Sequence, residues 1–176
     1  MICSSVQKKL DNAFYALAAN TPLEGIKLKD ILECARISKT TFYTNYDNID
    51  DFIVEQIDRL FRPFDCDQNI YKSKPGSNTC VFVYVSEQLY KNKGFVKNVY
   101  ESKYKKDLYD IIDYFFEERI AHCFSQNSCK KDNLEERTIF LASGYKGMID
   151  KYIETGDENY LLSSAKILQN TIECYD

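Results

Sequence analysis

Apolar side chains recur at helical spacing along almost the whole chain, and this periodicity limits the fold more than any other feature. Leu10, Phe14 and Leu17, for example, share one face of a first predicted helix. The pattern predicts helices over residues 6–18, 28–35, 39–46, 49–62, 79–92, 95–102, 105–126, 133–155 and 158–173. Residues 81–85 have strand composition, but the sequence shows no partner strand, so we interpret them as helix. The sequence therefore predicts an all-α protein of nine helices.

A change in composition and charge divides the chain. Residues 65–77 form the one polar stretch rich in helix-breaking residues, and we interpret them as a linker between modules at residues 1–62 and 63–176. Residues 1–46 carry six basic and four acidic side chains, whereas the whole chain has a net charge of −4. A weakly basic start on an acidic remainder is compatible with a local polyanion site, although many solvated surfaces have the same balance.

The composition argues against several classes of protein. Seven scattered cysteines without a C-x-x-C pair, and a single histidine, predict no metal site and no cofactor. No apolar run approaches the ~20 residues of a membrane span, and the first residues lack the pattern of a signal peptide, so we expect a cytoplasmic protein without membrane contact. Glycine-rich phosphate loops and nucleophile elbows are also missing, which argues against an enzyme.

The second and third predicted helices have the lengths and three-residue connection of a helix-turn-helix. In that motif the second short helix enters the major groove of double-stranded DNA, while the helix before it braces the backbone. Phe42 and Tyr46 would bury the inner side of the short helix, and its outer side would carry polar groups. The candidate DNA-binding residues are Lys29, Ser38, Lys39, Thr40, Thr41, Tyr43, Thr44 and Asn45. Three packed short helices without a ligand would give the same spacing, and that alternative stays open.

Two segments carry a more specific resemblance. Residues 29–46 read KDILECARISKTTFYTNY, and residues 140–156 read FLASGYKGMIDKYIETG. The first segment, within residues 5–57, resembles the DNA-binding domain of the TetR (tetracycline repressor) family of transcription regulators. The second resembles the penultimate helix of that family. The resemblance implies a DNA-binding domain at residues 1–62 and a helical regulatory and dimerisation domain at 63–176.

Four positions depart from the family pattern. Lys27 stands where a Thr or Ser usually caps the first short helix, and Leu32 replaces a small residue. Thr40 stands where Gly or Ala is common, which adds a hydroxyl to the DNA-facing side. Ile49 replaces a lysine that family members often place near a phosphate, and Asp47 adds a negative charge beside it. These last two changes predict a weaker contact with the DNA backbone.

The last two predicted helices have the composition of a dimer interface. Small residues such as Gly144 and Gly147 allow helix backbones to approach closely, and the final helix adds an apolar face, so two copies of the chain could form a four-helix interface. The candidate dimer residues are Phe140, Gly144, Gly147, Met148, Leu161, Ile167 and Leu168. The same residues could instead be buried within one subunit.

The resemblance also implies a small ligand in the second module, and aromatic residues there could line an apolar pocket. The candidate ligand-binding residues are Phe82, Phe95, Phe115, Phe116, His122 and Tyr145. A solid aromatic core would explain the rings equally well. The sequence thus predicts a dimeric repressor that a small apolar or aromatic effector releases from its operator. The alternative is a helical interaction protein of the same fold that has weak or lost DNA binding and acts through a protein partner.

Overall fold

The structure is a computed structural model that describes residues 5–61, 79–126 and 133–173. Within residues 79–84, 119–126, 165 and 168–173 it describes the helical backbone but not the side chains. The linker predicted at residues 65–77 lies outside the described residues.

Nine α-helices and one short 3-10 helix make up these three ranges, which contain no strand. The helices are α1 (Ser5–Ala18), α2 (Leu28–Ala35), α3 (Lys39–Tyr43), α4 (Ile49–Phe61), α5 (Thr79–Lys91), α6 (Lys93–Tyr100), α7 (Lys105–Gln126), α8 (Leu134–Thr155) and α9 (Asn159–Glu173), with the 3-10 helix at Leu23–Gly25. This confirms the all-helical prediction, including a helix across the segment with strand composition. Helix α3 is shorter than predicted, because a tightened turn follows Tyr43 in which the Asn45 N–H donates to the Phe42 carbonyl at 2.9 Å. None of the described helices has the length and hydropathy needed to cross a membrane.

Residues 5–61 and 92–108 form a first compact unit, which contains α1–α4, α6 and the start of α7. At its centre the buried ring of Phe14 meets the rings of Phe52 and Phe95 edge to face, at centroid distances of 5.3 and 5.4 Å. Helix α6 also supports the end of α1, because Asn98 Nδ2 donates to the carbonyl oxygens of Ala18 and Thr21. Helix α6 therefore packs with helices that precede it by more than 30 residues, although the predicted module boundary at residue 62 separates them in sequence.

Residues 79–91, 109–126 and 133–173 belong to a second compact unit, in which α5 and α8 both pack against α9. Helices α7 and α8 run antiparallel. Tyr109 donates its hydroxyl to Asp150, and four residues further along α7 the carboxylate of Asp113 accepts from Lys146 Nζ at 2.7 and 2.9 Å. Helix α8 ends at Gly156, whose φ of 70° suits glycine and whose N–H donates to the Tyr152 carbonyl at 2.8 Å.

Candidate nucleic-acid interface

The connection between α2 and α3 contains the C-terminal cap of α2 followed directly by the N-terminal cap of α3. Arg36 adopts a left-handed conformation with φ 54° and donates its N–H to the Glu33 carbonyl at 3.3 Å, while Ile37 N–H donates to the Leu32 carbonyl at 3.1 Å. This pair of bonds is the Schellman motif that terminates helices. Ser38 then begins α3, since its Oγ accepts from the Thr41 N–H at 3.1 Å. The three-residue turn fixes the direction of α3 relative to α2.

Aromatic packing determines which side of α3 faces inward. Phe42 is fully buried and Tyr46 nearly so, and their ring centroids lie 5.8 and 5.0 Å from that of Phe52 on α4. The Tyr46 hydroxyl also donates to Gln7 Oε1 on α1 at 2.8 Å. Two neighbouring helices therefore hold the inner side of α3, and its opposite side faces outward.

The outer side of α3 carries the predicted polar residues. Lys39, Thr40, Thr44 and Asn45 are exposed, and Tyr43 is 47% exposed. Lys39 Nζ lies 5.7 Å from the centroid of the Tyr43 ring, which places a cation next to a phenol hydroxyl on the same surface.

Several side-chain donors on this surface are already engaged by the backbone of α3. Thr44 Oγ1 donates to the Thr40 carbonyl and Asn45 Nδ2 donates to the Thr41 carbonyl, both at 2.9 Å. The half-buried Thr41 has its Oγ1 2.8 Å from Ser38 Oγ, so these two hydroxyls belong to the helix cap. The exposed groups of Lys39, Thr40 and Tyr43 are therefore the most accessible part of the predicted set.

A groove of about 540 Å³ lies between α2 and α3 on this outer surface. It is lined by Leu28, Lys29, Leu32, Glu33, Arg36, Ile37, Lys39 and Tyr43. Lys29 is highly exposed and forms an ion pair with Glu33, one helical turn away, at 3.6 Å. Arg36 was not among the predicted site residues, although an arginine in the turn of a predicted helix-turn-helix was a visible signal for it.

The departures from the family pattern have clear structural outcomes. Lys27 cannot cap α2 with its side chain, and Asp30 instead accepts from the Lys27 N–H at 3.1 Å. Ile49 is the half-buried first residue of α4, which follows the exposed Asp47. Asn48 caps α4 by accepting from the Asp51 N–H at 2.9 Å.

The candidate dimer residues divide into exposed and buried positions. Phe140 is 74% exposed, and Gly144 and Gly147 are exposed with nothing within 4 Å of a Cβ added at either glycine. Ile167 is also exposed, whereas Met148 is half-buried. Leu161 is 0% exposed, so it packs within the chain and does not belong to an open face. The side chain of Leu168 lies outside the described residues.

Most candidate ligand residues with described side chains are part of buried aromatic clusters. In the second unit the Phe116 centroid lies 5.8 Å from that of Phe115 and 5.3 Å from that of Tyr145. The Tyr145 hydroxyl lies 3.2 Å from Ser86 Oγ, and burial raises the pKa of this phenol. Phe95 packs in the first unit, because its ring contacts Phe14.

The remaining two candidates, Phe82 and His122, lie on α5 and α7, but their side chains are outside the described residues. A groove of about 440 Å³ on the second unit is lined by residues that were not predicted, namely Glu117, Leu134, Glu135, Thr138 and Ile139.

The helix order and the geometry of α2 and α3 define an all-α protein with a helix-turn-helix in its first unit. Among solved structures, the chain is similar to the dihydroxyacetone kinase operon activator DhaS, with a TM-score of 0.71 and 16% sequence identity. The match covers 98% of this chain and 98% of that chain, and it supports a TetR-like fold. No family model matches the sequence, and no curated protein does.

Proposed function

We propose that the protein is a DNA-binding transcription regulator that inserts α3 into the major groove of double-stranded DNA. The observation that carries this proposal is the two-sided character of α3. Phe42 and Tyr46 lock its inner side against α1 and α4, while Lys39 and Tyr43 present a cation and a hydroxyl on its outer side. The name of the structurally similar DhaS, an operon activator, agrees with a role in transcription.

Fluorescence anisotropy with duplex DNA from upstream of the protein's own gene tests this proposal. We expect tighter binding to that duplex than to a scrambled duplex of the same composition, because base-edge contacts add to the contacts with phosphates. Tyr43→Phe should weaken binding by about 1 kcal/mol, the net value of one hydrogen bond.

Tyr114→Phe is the matched control for Tyr43→Phe. Tyr114 is similarly exposed, at 44%, but it lies on α7 and donates its hydroxyl to Glu118 at 2.7 Å. Its replacement should leave DNA affinity unchanged. Equal binding of wild type and both variants to every duplex would contradict a sequence-specific regulator.

We further propose that the regulator acts as a homodimer through exposed residues of its last two helices, Phe140, Gly144 and Gly147 on α8 and Ile167 on α9. These side chains are apolar or small, which favours close contact with a second copy of the same face. Analytical ultracentrifugation of the wild type at micromolar concentration should show a dimer.

Gly147→Arg should convert that dimer to a monomer without unfolding the chain, since the position has open space within a single chain. Gly94→Arg is the matched control, because Gly94 on α6 is exposed and equally open. It should leave the protein dimeric. A wild type that sediments as a monomer would contradict the dimer.

The proposal also includes the direction of regulation, repression or activation, and a small-molecule effector. The sequence resemblance favours a repressor that a small apolar or aromatic effector releases, with the buried cluster around Phe116 and Tyr145 as the place where it binds. A reporter gene behind the upstream region tests the direction, because loss of a repressor raises expression and loss of an activator lowers it. When small aromatic compounds are added to the anisotropy assay, at least one should release the DNA. If none of them does, the proposal of a small aromatic effector is wrong.

The second candidate is a helical interaction protein of the same fold with weak or lost DNA binding. Ile49 favours it, because the start of α4 presents a half-buried apolar side chain beside the exposed Asp47 and carries no cation. In the anisotropy assay this candidate predicts weak or no binding to any duplex even at low salt, where backbone contacts are strongest.

A further inference from the structure

Arg36 holds a backbone conformation that L-amino acids rarely adopt. Its φ of 54° is in the left-handed region, where glycine is favoured because it lacks a Cβ. The hydrogen bonds from Arg36 N–H to Glu33 and from Ile37 N–H to Leu32 require this conformation, since they form the Schellman motif at the end of α2. The turn itself would be satisfied by glycine, and an arginine side chain adds nothing to its closure.

The guanidinium of Arg36 also has no partner among the residues that the structure describes. Across the described ranges it makes no ion pair and no side-chain hydrogen bond, and the residue is exposed. Arg59, in contrast, donates to Asp11 at 2.8 Å and also to Glu55. Arg36 therefore exposes its guanidinium and its N–H donors to solvent.

The surroundings of Arg36 suit a phosphate. It lines the groove between α2 and α3 together with Lys39 and the exposed Tyr43, which supply an ammonium and a hydroxyl on the outer side of α3. The one carboxylate of this groove, that of Glu33, is paired with Lys29 at 3.6 Å. A planar guanidinium can donate two parallel hydrogen bonds to one phosphate group, which makes arginine well suited to backbone recognition.

We propose that Arg36 is a phosphate-contact residue, which fixes the start of α3 on the DNA backbone while the rest of its outer side meets the bases. This inference rests on the proposed function, since the phosphate is that of duplex DNA. It assigns a role in binding to the turn of the helix-turn-helix, in addition to the role of α3.

Salt-dependent anisotropy of full-length variants on the upstream duplex tests the assignment. Arg36→Gly removes the guanidinium and suits the left-handed turn, so the variant should fold. Its affinity should fall about tenfold at low salt, as expected when a charge-assisted hydrogen bond is lost. The slope of log affinity against log salt should become shallower by about 0.9 for each Arg36 that meets a phosphate. The loss should be the same on the scrambled duplex, because phosphate contacts carry no sequence information.

Two further variants make the test specific. Arg36→Lys keeps the charge but not the paired donors, so the wild-type slope should persist with part of the affinity lost. Arg36→Gln keeps a long polar side chain without charge, and should behave as Arg36→Gly does. Lys151→Ala, at an exposed lysine of α8 that pairs with Glu154, is the control and should bind as the wild type does.

The outcomes separate this inference from the proposed function. If the wild type binds the upstream duplex and Arg36→Gly has an unchanged slope, the assignment is wrong and the DNA-binding function stands. If the wild type binds no duplex, both are overturned. A melting temperature of Arg36→Gly at or above that of the wild type confirms that the loss of affinity does not come from unfolding.

Discussion

Gln56 is fully buried in the first unit, and its side-chain amide is the basis of our most detailed prediction. The residue is 0% exposed, and neither Nε2 nor Oε1 has a hydrogen-bond partner in the part of the chain that the structure describes. Leaving a buried amide without partners destabilises a protein by about 1–3 kcal/mol. Gln56→Met replaces the amide with an apolar, unbranched side chain of similar length that can fill the same space.

We therefore expect Gln56→Met to raise the free energy of unfolding by about 1–2 kcal/mol. The melting temperature should rise by about 2–4 °C for each kcal/mol in a chain of this size. Urea denaturation followed by far-ultraviolet circular dichroism measures the change. The midpoint should move to higher urea with the same slope, since the surface exposed on unfolding does not change.

Gln7→Met is the matched control, because it makes the same chemical change at a glutamine whose amide is fully engaged. Gln7 Nε2 donates to Asp11 at 2.8 Å, and Gln7 Oε1 accepts from the Tyr46 hydroxyl at 2.8 Å. Removing this amide takes one hydrogen bond from the Tyr46 hydroxyl and one from Asp11 Oδ1, while Arg59 still donates to Asp11 Oδ2, so we expect stability to fall by about 1–2 kcal/mol. Opposite signs at the two glutamines would establish that the hydrogen bonds, and not the glutamine side chain itself, determine the effect.

A hydrogen bond from Gln56 to Asp11 in solution would reverse the expected result. Burial raises the pKa of the Asp11 carboxyl, and the hydrogen bond from Gln7 and the charge of Arg59 oppose that rise; the Gln56 amide is nearby but makes no hydrogen bond to it within the described residues. If Gln56 in solution donates to Asp11, Gln56→Met will lose stability as Gln7→Met does. The pKa of Asp11, followed by NMR titration, would then rise further in the Gln56 variant.

Three further predictions concern other residues of the first unit. Asn98→Ala should lower the free energy of unfolding by about 1–2 kcal/mol, because the Ala18 carbonyl at the end of α1 loses its donor; unchanged urea midpoints would contradict this. Hydrogen bonds from Lys103 and Tyr104 hold the pKa of Asp50 below its ordinary value of 3.8. The interaction therefore stabilises the fold at pH values above 3.8, and this stabilisation is lost as the pH falls through the lower pKa that Asp50 has in the folded protein. Urea midpoints measured from pH 7 to pH 2 should therefore fall more steeply for the wild type than for Asp50→Asn, and parallel curves would contradict the pairing. If the start of α4 faces a phosphate, Ile49→Lys should steepen the slope of log DNA affinity against log salt by about 0.9 per subunit. An unchanged slope with a lower melting temperature would show instead that Ile49 contributes to packing.

Local pattern was enough to predict most of the helices. The bounds of α2 agree with the prediction because strong signals coincide there, an apolar face from Ile31 to Ala35 and a turn before the cap at Ser38. The short, tight end of α3 was not predictable in the same way. Phe42 and Tyr46 suggest one continuous helical face, whereas the turn after Tyr43 depends on the hydrogen bonds that the structure forms there.

Periodicity also fails to identify the partner of an apolar face. Leu161 and Ile167 are both apolar residues of α9, yet the first is buried within the chain and the second is 54% exposed. The aromatic residues Phe95 and Phe116 both lie on predicted helices of the second module, but they belong to different units. Choosing between these environments requires the tertiary packing, which no local window contains.

The placement of α6 has a consequence for engineering. Because Phe95 covers Phe14 and Asn98 supports the end of α1, the first unit is built from two pieces of chain that are separated by α5. No single cut can excise it, and a fragment that stops at residue 62 would expose the ring of Phe14 to water. A chimera that receives the first unit therefore needs three crossover points, one on each side of α5 and a third in α7 after residue 108, so that α6 is transferred with α1–α4.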